Sequence, residues 1–230
     1  VQRLNLVFGA DDVLWEDNAL FERAIEVFID HLAHPTLTPE QVREVLNDAE
    51  LANFATYGHG AGVFERSLTD CLARLRPNAP PGEADRAVLR EACAPIRERA
   101  IGLLDGVPET LRALGERHRL FLIGRGDPAV QEAKIEASGL APVFESIGVV
   151  REKDPATYRA FAQNHGLEPA DTWVIGNSVR SDAWPALEAG MGAVLIPHQA
   201  PRASDGVDPP EEHDRFHTVS HLGKLTEFFT

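Results

Sequence analysis

The stretch LVFGADDVLW, residues 6–15, decides how the rest of the chain is read. An apolar run from Leu4 to Phe8 stops at Gly9, and the acids Asp11 and Asp12 follow at once. A short apolar run of this kind is a buried strand, and its end delivers carboxylates at a sheet edge. A glycine stands where the strand ends, just ahead of those acids.

Outward from this strand the pattern changes twice. Leu20, Ala24, Val27, Phe28 and Leu32 follow helical spacing. In TPEQVREVL, Thr38 is placed to cap a helix, Pro39 suits its first turn and Gln41 completes a capping box. Two more helices are expected over 62–75 and 83–99, so residues 16–100 form a nearly all-helical block. After Gly106, strands and helices alternate: RLFLIG, ESIGVV, TWVIG and GAVLIP are strands, separated by helical stretches. That alternation predicts an α/β fold, a doubly wound parallel sheet with helices on both faces. Residues 1–15 and 101–230 make this core, and residues 16–100 interrupt it after the first strand. A last strand is expected near Phe216–Val219, followed by a C-terminal helix. Ligands of such sheets bind at the carboxyl ends of the strands. Here those ends read GADD, GRGD and GNSVRSD.

Composition narrows the function. The chain has 230 residues, of which 43% are hydrophobic, enough for a sizeable core without disulfides. The net charge of −14 repels phosphate backbones and argues against nucleic acid as a partner. Cys71 and Cys93 are isolated thiols, as in a reducing compartment, and no apolar run approaches 18 residues. The expectation is a cytoplasmic protein with no membrane partner, and a homodimer is open to it.

The motifs resemble those of the haloacid dehalogenase (HAD) superfamily, in the subgroup with a helical cap after the first strand. FGADDVLWEDN is similar to the first motif, DxDx[TV] after an apolar strand. LFLIGRGD is similar to the second, VVREKDPATY to the third and VIGNSVRSDAWPALEAG to the fourth. DGVPETL and QEAKIEASGL are also characteristic. The resemblance implies a Rossmann-like core carrying an inserted helical-bundle cap. It also implies a phosphatase-like chemistry: an aspartate nucleophile, a second aspartate as acid and base, and Thr or Ser with Lys holding the transferred group. Magnesium is the implied cofactor.

Position by position, the match is partial. Asp11 falls on the acid/base position and Lys153 on the third-motif lysine, which makes them the catalytic candidates. Asp182 falls on the later acid of the fourth motif, and with Asp11 it supplies two expected magnesium ligands. The nucleophile position holds Gly9 and the Thr/Ser position holds Gly124. With no carboxylate at position 9, weak metal binding is expected. Asp12 lies beyond the strand end and is expected to leave the site or brace the loop. Gly9, Gly124, Arg125 and Asn177 are the expected ligand-contacting positions at the strand ends, and Tyr57 and His59 of YGHGAGVF are those of the cap.

Each candidate also has an ordinary structural role. Gly9 and Gly124 suit turns, Asp11 a turn brace, Asp182 a helix start, and Phe64 cap packing. His213, His217 and His221 recur every four residues, but FHTV is a strand, so they diverge instead of forming a metal stripe. RGD at 125–127 matches an adhesion tripeptide by coincidence, and Trp15, Trp173 and Trp184 are expected in or near the core.

Three functions follow. The chain is by descent a magnesium-dependent phosphatase of a small molecule with its covalent chemistry lost. Alternatively it is a pseudoenzyme binding a small ligand or a protein. Or it is a scaffold adapted to another reaction, in which two glycines clear one pocket floor and Asp11 and Lys153 act.

Overall fold

The computed structural model describes residues 3–58, 60–98, 101–197, 207–210 and 213–229. Six strands form one parallel sheet in the order β3-β2-β1-β4-β5-β6. They are β1 Asn5–Gly9, β2 Arg119–Arg125, β3 Ser146–Val150, β4 Thr172–Gly176, β5 Gly192–Leu195 and β6 Phe216–Thr218. The acid-bearing strand β1 lies between β2 and β4, with Gly9 level with Ile123 and Phe8 level with Ile175. Every residue of β1 is buried, which explains the apolar run Leu6–Phe8, and the one polar side chain, Asn5, donates to Thr172 Oγ1 at 3.2 Å.

Alternate residues of the central strands enter two apolar layers. Leu6, Phe8, Leu120, Leu122 and Ile175 pack on one face, with Val107, Leu111, Ile135 and Leu225 from the covering helices. Val7, Phe121, Ile123 and Val174 pack on the other, under Tyr158, Phe161 and Ala186. Those helices are α6 Val107–Gly115, α7 Pro128–Ser138 and α10 Leu225–Phe228 on the first face, and α8 Pro155–His165 and α9 Trp184–Glu188 on the second. Each buried Leu or Phe contributes about 1.5–3 kcal/mol, so two filled layers hold the sheet without cross-links.

The chain divides into two compact units, Val1–Glu16 with Ile101–Thr230, and Asp17–Ala100. The second is helical: α1 Asn18–Leu32, α2 Pro39–Tyr57, α3 Ala61–Leu75, α4 Glu83–Ala92 and α5 Ala94–Glu98. Its core contains Phe28, Leu46, Phe64, Leu68, Leu72 and Leu89, with both cysteines fully buried among them. Thr38 and Gln41 form the capping box of α2 read from the sequence. Arg76 donates to the His31 and Leu32 carbonyls at the end of α1, 2.9 and 2.8 Å away, and Asp85 accepts from the Gly82 amide at the start of α4.

Two element expectations change. The single helix over 83–99 is two helices, because Pro95 has no N–H to continue the ladder; Arg99 lies outside the described residues. The fourth-motif helix starts as a wide turn, Val179–Ala183, in which the Ala183 amide reaches back five residues to the Ser178 carbonyl. Pro185 then leaves the Ser181 carbonyl without its helical donor, and the Tyr158 hydroxyl lies 3.4 Å from it.

Candidate active site

Asp11 sits in the turn that leaves β1. The Val13 and Leu14 amides donate to the Ala10 carbonyl, and the Asp12 amide donates to the Trp15 carbonyl at 2.8 Å. Asp12 adopts a left-handed backbone, φ 58°, which aspartate tolerates better than most residues. It is 7% exposed and braces this loop. The turn brings Trp15 back, so its indole N–H donates to Asp11 Oδ1 at 2.8 Å. Helix α7 supplies the rest. Lys134 Nζ donates to Asp11 Oδ1 at 2.9 Å, and Gln131 Nε2 donates to Asp11 Oδ2 at 2.8 Å. Burial acts to raise the Asp11 carboxyl, but the Lys134 ammonium and the three donors hold it below the ordinary carboxylate range.

On the other sheet face stands a second ion pair. Lys153 Nζ donates to Asp182 Oδ1 at 2.7 Å, and the two side chains are 8% and 3% exposed. The Tyr158 hydroxyl donates to the same oxygen at 3.3 Å. The Asn177 and Ser178 amides donate to Oδ2 at 3.2 and 3.1 Å. Burial and the nearby Asp182 charge push the Tyr158 phenol well above its usual range, so it stays a donor. Gly176 makes this approach possible: a Cβ there would lie 2.2 Å from Asp182 Cγ.

The two glycines do not clear a common floor. Gly9 follows Val7 on the α8–α9 face, and Gly124 follows Leu122 on the α6–α7 face. Their surroundings agree. A Cβ on Gly9 would meet Lys153 Nζ at 3.2 Å, Val13 Cγ2 at 3.3 Å and the Ile175 carbonyl at 3.5 Å. A Cβ on Gly124 would meet the Gln131 side chain, with Oε1 at 3.2 Å. The expectation of one enlarged pocket is therefore corrected to two separate side-chain positions, because successive strand residues alternate faces.

The remaining candidates fall as follows. Arg125 ends β2 with its guanidinium 3.9 Å from Glu152, and its carbonyl accepts from Gln131 Nε2 at 2.9 Å. Asn177 meets Asp182 through its backbone amide. Asp127 of the RGD tripeptide caps α7, accepting from the Val130 amide at 3.1 Å. Tyr57 is 52% exposed in the helical unit, with the Arg66 guanidinium 4.2 Å from its ring centroid. His59 lies outside the described residues. Phe64 is core of the helical unit, and His217 packs against Trp173 and Phe228 in the α/β unit.

Trp15, Gln131, Lys134, Tyr158 and Gly176 complete the site, and the sequence did not single them out for it. Gln131 and Lys134 carried a signal, since their three-residue spacing puts both on one face of α7.

The oxygens of Asp11 and Asp182 are therefore each turned toward a lysine and further N–H or O–H donors. Among the described residues no group of three His, Cys, Asp or Glu side chains stands where it could hold a metal ion. The residues present do not fit magnesium. The two acids assigned to it by resemblance lie in separate ion pairs, and position 9 offers no carboxylate.

A β1 loop carrying an acid, a lysine after β3 and an acid after β4 on a doubly wound sheet define the haloacid dehalogenase-like hydrolase class. The model of that family matches residues 5–190, and the chain belongs to it. N-acylneuraminate-9-phosphatase from Mus musculus is 30% identical over 123 residues, 50% of this chain and 50% of that protein. The chain thus spans about half the length of the curated relatives it matches. A haloacid dehalogenase-like family hydrolase from Xanthomonas campestris superposes with a TM-score of 0.81 at 26% identity, over 99% of this chain and 94% of that one. The HAD-hydrolase YfnB from Bacillus subtilis, solved bound to magnesium, shares the fold at a TM-score of 0.69 and 17% identity over the full length of both chains.

Proposed function

We propose that this chain is a HAD-family protein descended from a phosphatase that binds a small molecule without the family's covalent hydrolysis. One observation carries this. The Lys153 ammonium lies 3.2 Å from where a side chain at position 9 would begin, and its charge is given to Asp182. No carboxylate stands at position 9, and the lysine that would face one is paired with Asp182 instead. Asp11 is a poor replacement as nucleophile or base, because both its oxygens already accept from Lys134, Gln131 and Trp15 and its basicity is lowered. Similarity to N-acylneuraminate-9-phosphatase supports the phosphatase ancestry and a small-molecule ligand. The helical unit is assigned as the cap, and Tyr57 and His59 are kept as its candidate ligand-contacting positions. A cytoplasmic location fits the buried, reduced thiols.

Calorimetric titration with magnesium tests the proposal. Wild-type protein is expected to show no saturable heat, and Gly9→Asp with Gly124→Thr to gain it. Tight magnesium binding by the wild type, unchanged in the double variant, would sink the proposal.

A further inference from the structure

The sheet ends on one side at β3, which pairs only with β2 among the described strands. No residue of β3 is fully buried; each is partly exposed. Val150 turns its backbone to β2, since its carbonyl accepts from the Gly126 amide at 2.9 Å. Backbone groups alternate sides along a strand, so Ile147 and Val149 turn theirs outward, where an added strand can pair with them. Side chains alternate between the two faces as well. A Cβ on Gly148 would meet Phe161 of α8 at 3.0 Å, while Ile147 and Val149 face α7. There, with Ile135 and Ala141, they form the apolar floor of an open groove of about 470 Å³. Glu132 and Glu136, one turn apart on α7, also line it. Both are exposed, and neither has an ion-pair partner among the described residues.

We propose that the β3 edge and this groove bind an extended peptide in which Lys or Arg alternates with apolar residues. The outward N–H and C=O groups of Ile147 and Val149 take a strand, as unpaired sheet edges do. Alternate side chains of an added strand enter the groove. There a Lys or Arg stem covers the apolar floor and its cation reaches Glu132 or Glu136. The side chains between them fall on the α8 face, beside the half-buried Val150, and are apolar. A second copy of this chain is the poorer occupant. It would bring a second set of the same two acids to the groove, on a chain whose net charge is already −14. The surface uses neither Asp11 nor Asp182, so it does not depend on the fate of the phosphatase chemistry.

The test titrates the isotope-labelled wild-type chain with the capped peptide Lys-Val-Lys-Val-Lys-Val-Lys and follows backbone amides by NMR. The Ile147 and Val149 amides should shift saturably and exchange more slowly with solvent. Glu132→Gln with Glu136→Gln should weaken binding about fivefold, since two exposed ion pairs are lost. The peptide Lys-Val-Lys-Pro-Lys-Val-Lys carries the same charge without the central N–H and should bind the wild type more weakly than its parent. Glu-Val-Glu-Val-Glu-Val-Glu should not bind. Equal affinity of the wild type and the double variant, equal affinity of the two Lys peptides, or shifts that leave β3 untouched would overturn the proposal. So would a peptide-free dimer with its β3 amides protected, which would give this edge to a second copy.

Discussion

At the scale of single residues, two lysines decide what the acids do. Asp11 and Asp182 occupy the positions that resemblance assigns to them, but each is neutralised by a lysine on its own side of the sheet. Removing one partner of a buried pair costs about 3–5 kcal/mol because the other charge is stranded. Lys153→Met should lose about 3 kcal/mol in urea unfolding, since Asp182 keeps two amide donors; a loss below about 1 kcal/mol would mean the pair is not formed. Asp11 adds a pH dependence with a definite sign. Its folded pKa lies below the unfolded value of about 3.9, so its stabilisation is complete above that pH and fades as pH falls through the folded pKa. Melting of the wild type should therefore fall more steeply below about pH 4 than melting of Asp11→Asn; parallel curves would contradict the clamp. The glycine at position 9 and the acids around it were legible in the sequence. Lys153 was legible too, as the third-motif lysine, whereas Lys134 and Gln131 were not tied to Asp11, because side-chain pairing between elements distant in sequence depends on three-dimensional placement.

At the scale of elements, the strand ends carry the site and small residues set their spacing. Gly176→Ala would drive a Cβ to 2.2 and 2.3 Å from Asp182 Cγ and Cβ, atoms at the base of a side chain held by Lys153 and two backbone amides, so they cannot yield as the end of a free side chain can. We expect it to cost about 1–3 kcal/mol or more and to disturb the Lys153 pair. A melting temperature within a degree of wild type would show that Asp182 can move aside. The alternation after Gly106 made the five core strands and their helices readable, because periodicity reports burial directly. The break at Pro95 is written in that proline, although the apolar periodicity runs on through it. The wide turn at Val179–Ala183 was not readable, since its geometry follows from where the Ser181 carbonyl and the Tyr158 hydroxyl meet in space.

At the scale of the whole molecule, the two units carry separate cores and separate probes. Both cysteines are buried in the helical unit, where burial pushes each thiol up to about 12, while Trp15, Trp173 and Trp184 all lie in the α/β unit. The thiols should resist Ellman's reagent at pH 8 in native protein and become reactive as the helical unit opens. With independent cores, thiol exposure and tryptophan fluorescence should give separate transitions in urea; coincident curves would show one cooperative unit. The insert was visible in the sequence as a long helical block between the first strand and Gly106. The most direct test of the central claim is steady-state turnover of an aryl phosphate with magnesium by repurified wild-type protein. We predict no turnover above the level of Asp11→Asn and Lys153→Ala. Robust wild-type turnover that both substitutions abolish would contradict the account.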